Sequence, residues 1–245
     1  MRIFEEESTF VINWSEILRQ AFFYLLNLIK HNPSILMFLL VTIALSVVLK
    51  IKSGASYIGA RGEQLTEREL KLVNLFGRKG KTLRNLYLPK DDGGTSEIDI
   101  VYITQKGIFV FESKNYSGWI FGDEKSQYWT TTLPNGTKNR FYNPIKQNSS
   151  HIKWLQKYVG EEVPLFSIIV FSERSELKRI RVESSDVKVI KRDRTYATVR
   201  EIWEKHADIL TDTEQLYEKL KPLTDVDAAL KMAHIDNIKK KYSTS

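Results

Sequence analysis

The sequence predicts an α/β domain built on a mixed sheet, preceded by a transmembrane helix and followed by a helical C-terminal tail. Three observations predict it. The elements run helix, hairpin, short strands, helix, strand, strand and then helices, an order that suits a mixed sheet flanked by helices. Ser34 to Leu49 reads SILMFLLVTIALSVVL, with thirteen apolar residues interrupted only by Ser34, Thr42 and Ser46. The composition, 42% apolar and 27% charged over 245 residues, is that of a chain able to bury one core and carry attachments. With no cysteine, disulfide-stapled and Cys-ligated metal architectures are excluded.

Residues 1–32 are expected to form an amphipathic or interfacial segment, because the apolar run Ile17 to Ile29 is broken by Arg19 and Gln20. Residues 33–51 are expected to form the transmembrane helix. Its sixteen uncharged residues span about 24 Å against a hydrocarbon layer of about 30 Å. Lys30, Lys50 and Lys52 would reach the interfaces. Because cations follow the run and Glu5, Glu6 and Glu7 precede it, the rest of the chain is expected on the cytosolic side of the cell membrane. A second crossing by residues 17–29 and a buried core helix are the alternatives.

A linker, 52–57, leads to a helix from Arg61 to Phe76 with Leu65, Leu72, Val73 and Phe76 as its stripe and Gly77 as its stop. EIDIVYIT at 97–104 and IFVFESKN at 108–115 predict two strands around a tight turn. With Gln105-Lys106 as a two-residue turn, Asp99 faces Glu112. With Lys106-Gly107, it faces Lys114. A three-residue turn would send Asp99 to the other face. Short strands follow through Trp119 to Asn143, with Pro134-Asn135-Gly136 as a hairpin signal. Asn143-Pro144 caps a helix with Ile145, Ile152, Leu155 and Val159 as its core stripe. LFSIIVF at 165–171 and DVKVIK at 186–191 are strands, and residues 193–245 form a helical extension ending on Lys239-Lys240-Lys241.

Asp99, Glu112 and Lys114 on one hairpin face are the parts of a phosphodiester-hydrolysing site. Two carboxylates offer hard ligands to Mg²⁺ or Mn²⁺, and an ammonium stabilises charge building on phosphate. The same three residues also fit a cross-strand ion pair. A nuclease needs cations along the path of the phosphates. Arg78, Lys79, Lys81 and Arg84 are candidate phosphate contacts, as are Lys178, Arg179 and Arg181. Trp119, Trp129 and Trp154 are candidates for stacking. A solvated basic surface, or one that meets anionic membrane lipid, would look alike. Gln147 and His151, at i and i+4, share a helix face that suits phosphate or base contacts.

The sequence Gly59-x-x-Gly62-Glu63, then Glu97-Ile98-Asp99, then Gly107 through Gly118 (GIFVFESKNYSG), then Trp129 and Asn143-Pro144-x-x-Gln147 resembles the nuclease-related domain (NERD) family of the PD-(D/E)XK nuclease superfamily. The resemblance covers residues 58–192. It implies a restriction-endonuclease-like core with Asp99 and Glu112 as metal ligands, Lys114 as the catalytic lysine and Glu63 assisting metal or water placement. Gln147 resembles the glutamine of a Gln-x-x-x-Tyr element, but His151 stands where that element has Tyr. The expected function is a membrane-anchored, metal-dependent nuclease acting on DNA, with RNA and self-association left open and no organic cofactor. The alternative is a tethered module that binds nucleic acid or a partner without turnover.

Overall fold

A computed structural model of the chain describes residues 14–52, 54–209, 212–227, 229–234 and 236. The acidic triplet Glu5 to Glu7 and the lysine run 239–241 lie outside the described residues. The chain divides into two compact units, Met1–Gly54 and Ala55–Ser245.

The first unit contains α1 (Trp14–His31) and α2 (Pro33–Lys52). Helix α1 places Glu16 on Arg19 at 2.8 Å, and in α2 Thr42 and Ser46 return their hydroxyls to backbone carbonyls one turn back. The expected transmembrane helix is corrected here. Among the described residues no helix is long and apolar enough to cross a membrane. The apolar run is helical, but its roughly 24 Å falls short of the hydrocarbon thickness.

The second unit begins with α3 (Ala55–Leu75), followed by β1 (Gly80–Pro89), β2 (Thr95–Thr104), β3 (Gly107–Lys114), β4 (Gly118–Asp123), β5 (Tyr128–Thr132) and β6 (Lys138–Tyr142). Then come α4 (Pro144–Val159), β7 (Leu165–Phe171), β8 (Ser175–Arg181), β9 (Val187–Lys191), α5 (Thr195–Lys205) and α6 (Thr213–Leu220). The strands form two mixed sheets, one of order β1-β2-β3-β7-β9 and one of order β6-β5-β4-β8. In the first, β1, β2 and β3 are antiparallel, and β3, β7 and β9 are parallel. The sequence reading did not anticipate β1 or β8.

Side-chain alternation divides the core. Ile100, Tyr102, Phe109 and Phe111 pack with Leu70 and Val73 of α3 and with Val199 and Ile202 of α5. Val101, Ile103, Ile108 and Val110 point the other way and meet Leu155 and Val159 of α4. The second sheet meets the first through Ile120 and Trp129, which pack with Ile145, Ile169 and Phe171. On α3 the buried line is Gly62, Thr66, Leu70 and Val73, whereas Leu72 and Phe76 of the expected stripe are exposed. The reason is close approach: a Cβ on Gly62 would lie 2.8 Å from the Cβ of Asn115, so the helix crosses the end of β3 on its smallest residues.

Candidate active site

The turn settles the register. Thr104 pairs with Gly107 and Ile100 with Phe111, so Gln105-Lys106 is the two-residue turn and opposed positions sum to 211. Asp99 therefore faces Glu112, and Lys114 shares their side of the sheet. Pairing between β2 and β3 stops at Ile100↔Phe111. β2 stays bonded to β1 as far as Thr95↔Pro89, while β3 stays bonded to β7 as far as Lys114↔Phe171. The sheet thus forks just beyond Ile100, and Asp99, Glu112 and Lys114 stand where the branches part. Asp99 bridges the opening by accepting the Ser113 N–H at 2.7 Å. Asn85, at the β1 position opposite Asp99, has a positive φ, +51°, and is skipped in the β1–β2 pairing. Asparagine tolerates that conformation better than most residues.

Helix α4 closes the floor of the fork. Its start is fixed by Asn143, which is fully buried. The Asn143 side chain accepts the Ile145 N–H at 2.9 Å and donates to the carbonyls of Asp123, Glu124 and Ser126 at 3.2, 2.9 and 2.6 Å. Asn148 then ties the helix to the sheet through Val110 O at 3.0 Å and Ser167 Oγ at 2.9 Å. So anchored, α4 presents Gln147, whose Oε1 accepts from Lys114 Nζ at 3.0 Å. It also presents His151, with Nδ1 2.7 Å from Ser96 Oγ and Nε2 3.2 Å from Glu112 Oε2. Lys114 Nζ lies 2.6 Å from Glu112 Oε1.

The electrostatics separate the two carboxylates. Burial pushes Asp99 well above the ordinary carboxylate range, and the neighbouring Glu112 charge adds to the push, against the opposing pull of Lys114. Burial acts on Glu112 in the same sense, but the Lys114 ammonium and His151 outweigh it and leave this carboxyl below its ordinary value. Lys114 loses solvation too, yet the charges of Glu112 and Asp99 raise its pKa and keep it protonated. Glu63, on α3, is raised by burial, partly offset by Arg84 at 3.5 Å, and it lies within electrostatic reach of Glu97, Glu112 and Asp99.

Glu112 Oε2 and Glu63 Oε2 are buried and make no hydrogen bond of good geometry, their neighbours being His151 Nε2 at 3.2 Å and Arg84 at 3.5 Å. Glu112 Oε2 beside the Asp99 carboxylate is a donor set that fits Mg²⁺ or Mn²⁺, ions that take one or two carboxylates and complete their shell with water and phosphate oxygens. Among the described residues no group of three or more His, Asp or Glu side chains is placed to hold an ion unaided.

The fork opens into a cleft of about 370 Å³ lined by Asp99, Lys114, Gln147 and His151, with Lys90 and Lys146 also on its walls. The other expected nucleic-acid contacts lie elsewhere. Arg84 is taken up by Glu63 and Glu67. Arg78 hydrogen-bonds Tyr196 and pairs with Glu204, Lys81 pairs with Glu214, and Lys79 is exposed on the turn before β1. None of the four lines the cleft. Trp129 is 1% exposed, lies parallel to Phe171 at 6.0 Å and donates its indole N–H to Asp123 O, so its ring belongs to the core and has no face free for a base. Trp119 is half exposed beneath Lys178. Residues that the sequence reading passed over also reach the cleft. His234 bonds Thr95 Oγ1 at 2.7 Å and stands 3.5 Å from Glu97, which accepts from Tyr87 at 2.8 Å. With Thr95 and His234 separated by 139 positions, no local spacing signals that contact.

The model of the nuclease-related domain, NERD, matches residues 58–172, the stretch that carries α3, the fork and α4. An uncharacterized protein of Bacillus anthracis is 30% identical over 211 residues, which cover 85% of this chain and 96% of that protein. No solved structure matches the chain. With the family model lying over the forked hairpin and its helix, and a relative aligned along nearly its whole length, this chain belongs to the nuclease-related domain family.

Proposed function

We propose that this chain is a metal-dependent nuclease of the PD-(D/E)XK type that hydrolyses phosphodiester bonds of DNA. The observation that carries the reading is the convergence of Asp99, Glu112 and Lys114 at the parting of β2 and β3, with Asp99 and Lys114 lining a cleft that has further lysines on its walls and Glu112 buried behind them. Asp99 and Glu112 would hold Mg²⁺ or Mn²⁺, and such an ion supplies an acidified water and positive charge on the phosphate. Lys114 remains protonated, so its part is to donate hydrogen bonds and place charge beside the reacting phosphate, not to accept a proton. Gln147 and His151 act through others: Gln147 holds the Lys114 amine, and His151, steadied by Ser96, stands against Glu112.

A binding module without turnover is the second reading. It is favoured by the already satisfied Lys114–Glu112 pair and by the lack, among the described residues, of a three-ligand cluster. Incubating the purified chain with linear, circular and single-stranded DNA and with RNA, in Mg²⁺, Mn²⁺ or EDTA, separates the two. Metal-dependent cutting of DNA that disappears in Lys114→Ala supports the nuclease. Tight binding with no cutting in any metal supports the module.

A further inference from the structure

We propose that the cleft accepts an unpaired nucleotide whose base lies against Tyr116 and Phe141, making single-stranded segments or frayed ends, and not intact duplex, the preferred nucleic acid. The inference rests on the nuclease reading for the identity of the polymer but not on turnover. Its first support is depth. Glu112 is 1% exposed, and Asp99 and Lys114 are recessed between the branches of the forked sheet. A cavity of about 370 Å³ is at the small end of ligand sites and has room for roughly one nucleotide. A phosphate held in a rigid double helix cannot descend into such a space without its neighbours.

The second support is the character of the wall. Two residues beyond Lys114 the chain reaches Tyr116, whose ring centroid lies 4.6 Å from that of Phe141 at the end of β6. Both rings line the cleft that holds Asp99 and Lys114, and both are only partly buried. An aromatic surface beside a phosphate-directed lysine suits a strand whose backbone follows the cations while a base stacks alongside, and stacking of this kind tolerates any base. In duplex DNA both faces of a base are covered by its neighbours, so the same wall would first have to draw the base out at a cost of a few kcal/mol. Lys146, beside Gln147 on α4 with its amine on the Lys125 carbonyl, supplies charge on one wall, while Lys90, on the opposite branch, is shared with Asp92 at 3.1 Å. The Tyr116–Phe141 pair also packs onto the core around Trp129 and Phe171, which makes it a rigid platform.

The test measures binding in EDTA, where turnover is suppressed. A short oligonucleotide carrying 2-aminopurine is titrated with the full chain as a single strand and as a blunt duplex, and both fluorescence quenching and anisotropy are read. The expected result is quenching and tighter binding for the single strand. Tyr116→Leu should weaken that binding about 5- to 150-fold, the range that corresponds to the ~1–3 kcal/mol of one base–aromatic stack. Tyr116→Phe should retain both binding and quenching. Circular dichroism and thermal melting establish that each variant is folded. Phe141→Leu, which keeps an apolar side chain against the core, serves where Tyr116→Leu is not.

Equal affinity for duplex and single strand, or undiminished quenching in both leucine variants, would overturn the proposal. These outcomes separate it from the nuclease reading. Cutting in Mg²⁺ with a duplex preference removes the inference and leaves the nuclease. Quenched, single-strand-selective binding with no cutting in any metal does the reverse. Absence of binding to either form in EDTA overturns the inference and leaves the nuclease reading to the cutting assay.

Discussion

Replacing Lys114 by Met removes a charge and keeps most of the side-chain volume, so it isolates the electrostatic part of the site. In the native chain the ammonium lies 2.6 Å from Glu112 Oε1 and 3.0 Å from Gln147 Oε1. At an effective dielectric of about 20, a pair of charges at that separation attracts by roughly 6 kcal/mol, most of which offsets the desolvation of both ions. What the variant loses is therefore not the gross attraction. It is left with a carboxylate, 1% exposed, that has no cation to answer it, and breaking a buried pair in this way costs about 3–5 kcal/mol. His151, 3.2 Å from the other Glu112 oxygen, places the expected value near the lower end. The pH dependence has a definite sign. Glu112 sits below the ordinary carboxylate value, so the stability it contributes is full above the ordinary carboxylate range and is lost as pH falls through its folded value. In Lys114→Met burial prevails, Glu112 moves upward, and protonation relieves the unpaired charge. The deficit should thus be about 3 kcal/mol at neutral pH and well under half of that near pH 4. Adding Glu112→Gln should recover much of the neutral-pH deficit, because the buried charge disappears with its partner. Urea unfolding followed by tryptophan fluorescence at both pH values measures all of this. A deficit below about 1 kcal/mol at neutral pH, or one that does not change with pH, would refute the assignment of Glu112 as a buried, charge-dependent partner of Lys114.

Two further outcomes follow from contacts that position the site. Asn143→Ala removes the cap of α4 and the donor to three carbonyls, so urea unfolding should show a loss of about 2–4 kcal/mol, with the helix that carries Gln147 and His151 loosened at its first turn. Gly122→Ala would drive its new methyl into the Trp129 indole; the expected cost is about 1–3 kcal/mol, read as a lower melting temperature and a changed Trp129 emission.

What the sequence disclosed and withheld follows from which forces act locally. The hairpin of β2 and β3 was legible because two short apolar runs, the first opening on the alternation Glu97-Ile98-Asp99-Ile100, flank a tight turn. Its register was not, since Gln105-Lys106 and Lys106-Gly107 are equally plausible turns. The structure shows what selects the first: Thr104 Oγ1 donates to Gly107 O at 2.9 Å and accepts the Lys106 N–H at 3.1 Å. A threonine at the turn entrance carried that signal. Strand β1 was hidden by Arg84 and Asn85, one drawn to α3 by Glu63 and Glu67 and the other holding a positive φ. Strand β8, SELKRIR, was hidden because it is an edge whose charged side chains face outward, as edges resisting further pairing commonly do. The buried face of α3 escaped because Gly62 and Thr66 are buried for their small size, a property that a count of apolar residues does not register.

The fork itself could not be read from either strand alone, because it depends on two commitments made elsewhere. Strand β2 is held by β1 on one side and β3 by β7 on the other, with pairing that continues to the end of each branch. Beyond Ile100 and Phe111 the two branches no longer bond to each other. Parting a sheet in this way exposes backbone donors that must be satisfied. Here the Ser113 N–H is received by the Asp99 carboxylate, and helix α4, through Asn148, fastens to the sheet just before the opening. The carboxylate that would serve chemistry is thus also the group that makes the opening tolerable. An Asp99→Asn variant, which preserves the acceptor oxygen, should accordingly keep the fold while losing metal-dependent cutting, whereas Asp99→Ala should lose about 1–3 kcal/mol of stability as well, for it leaves that N–H without a partner.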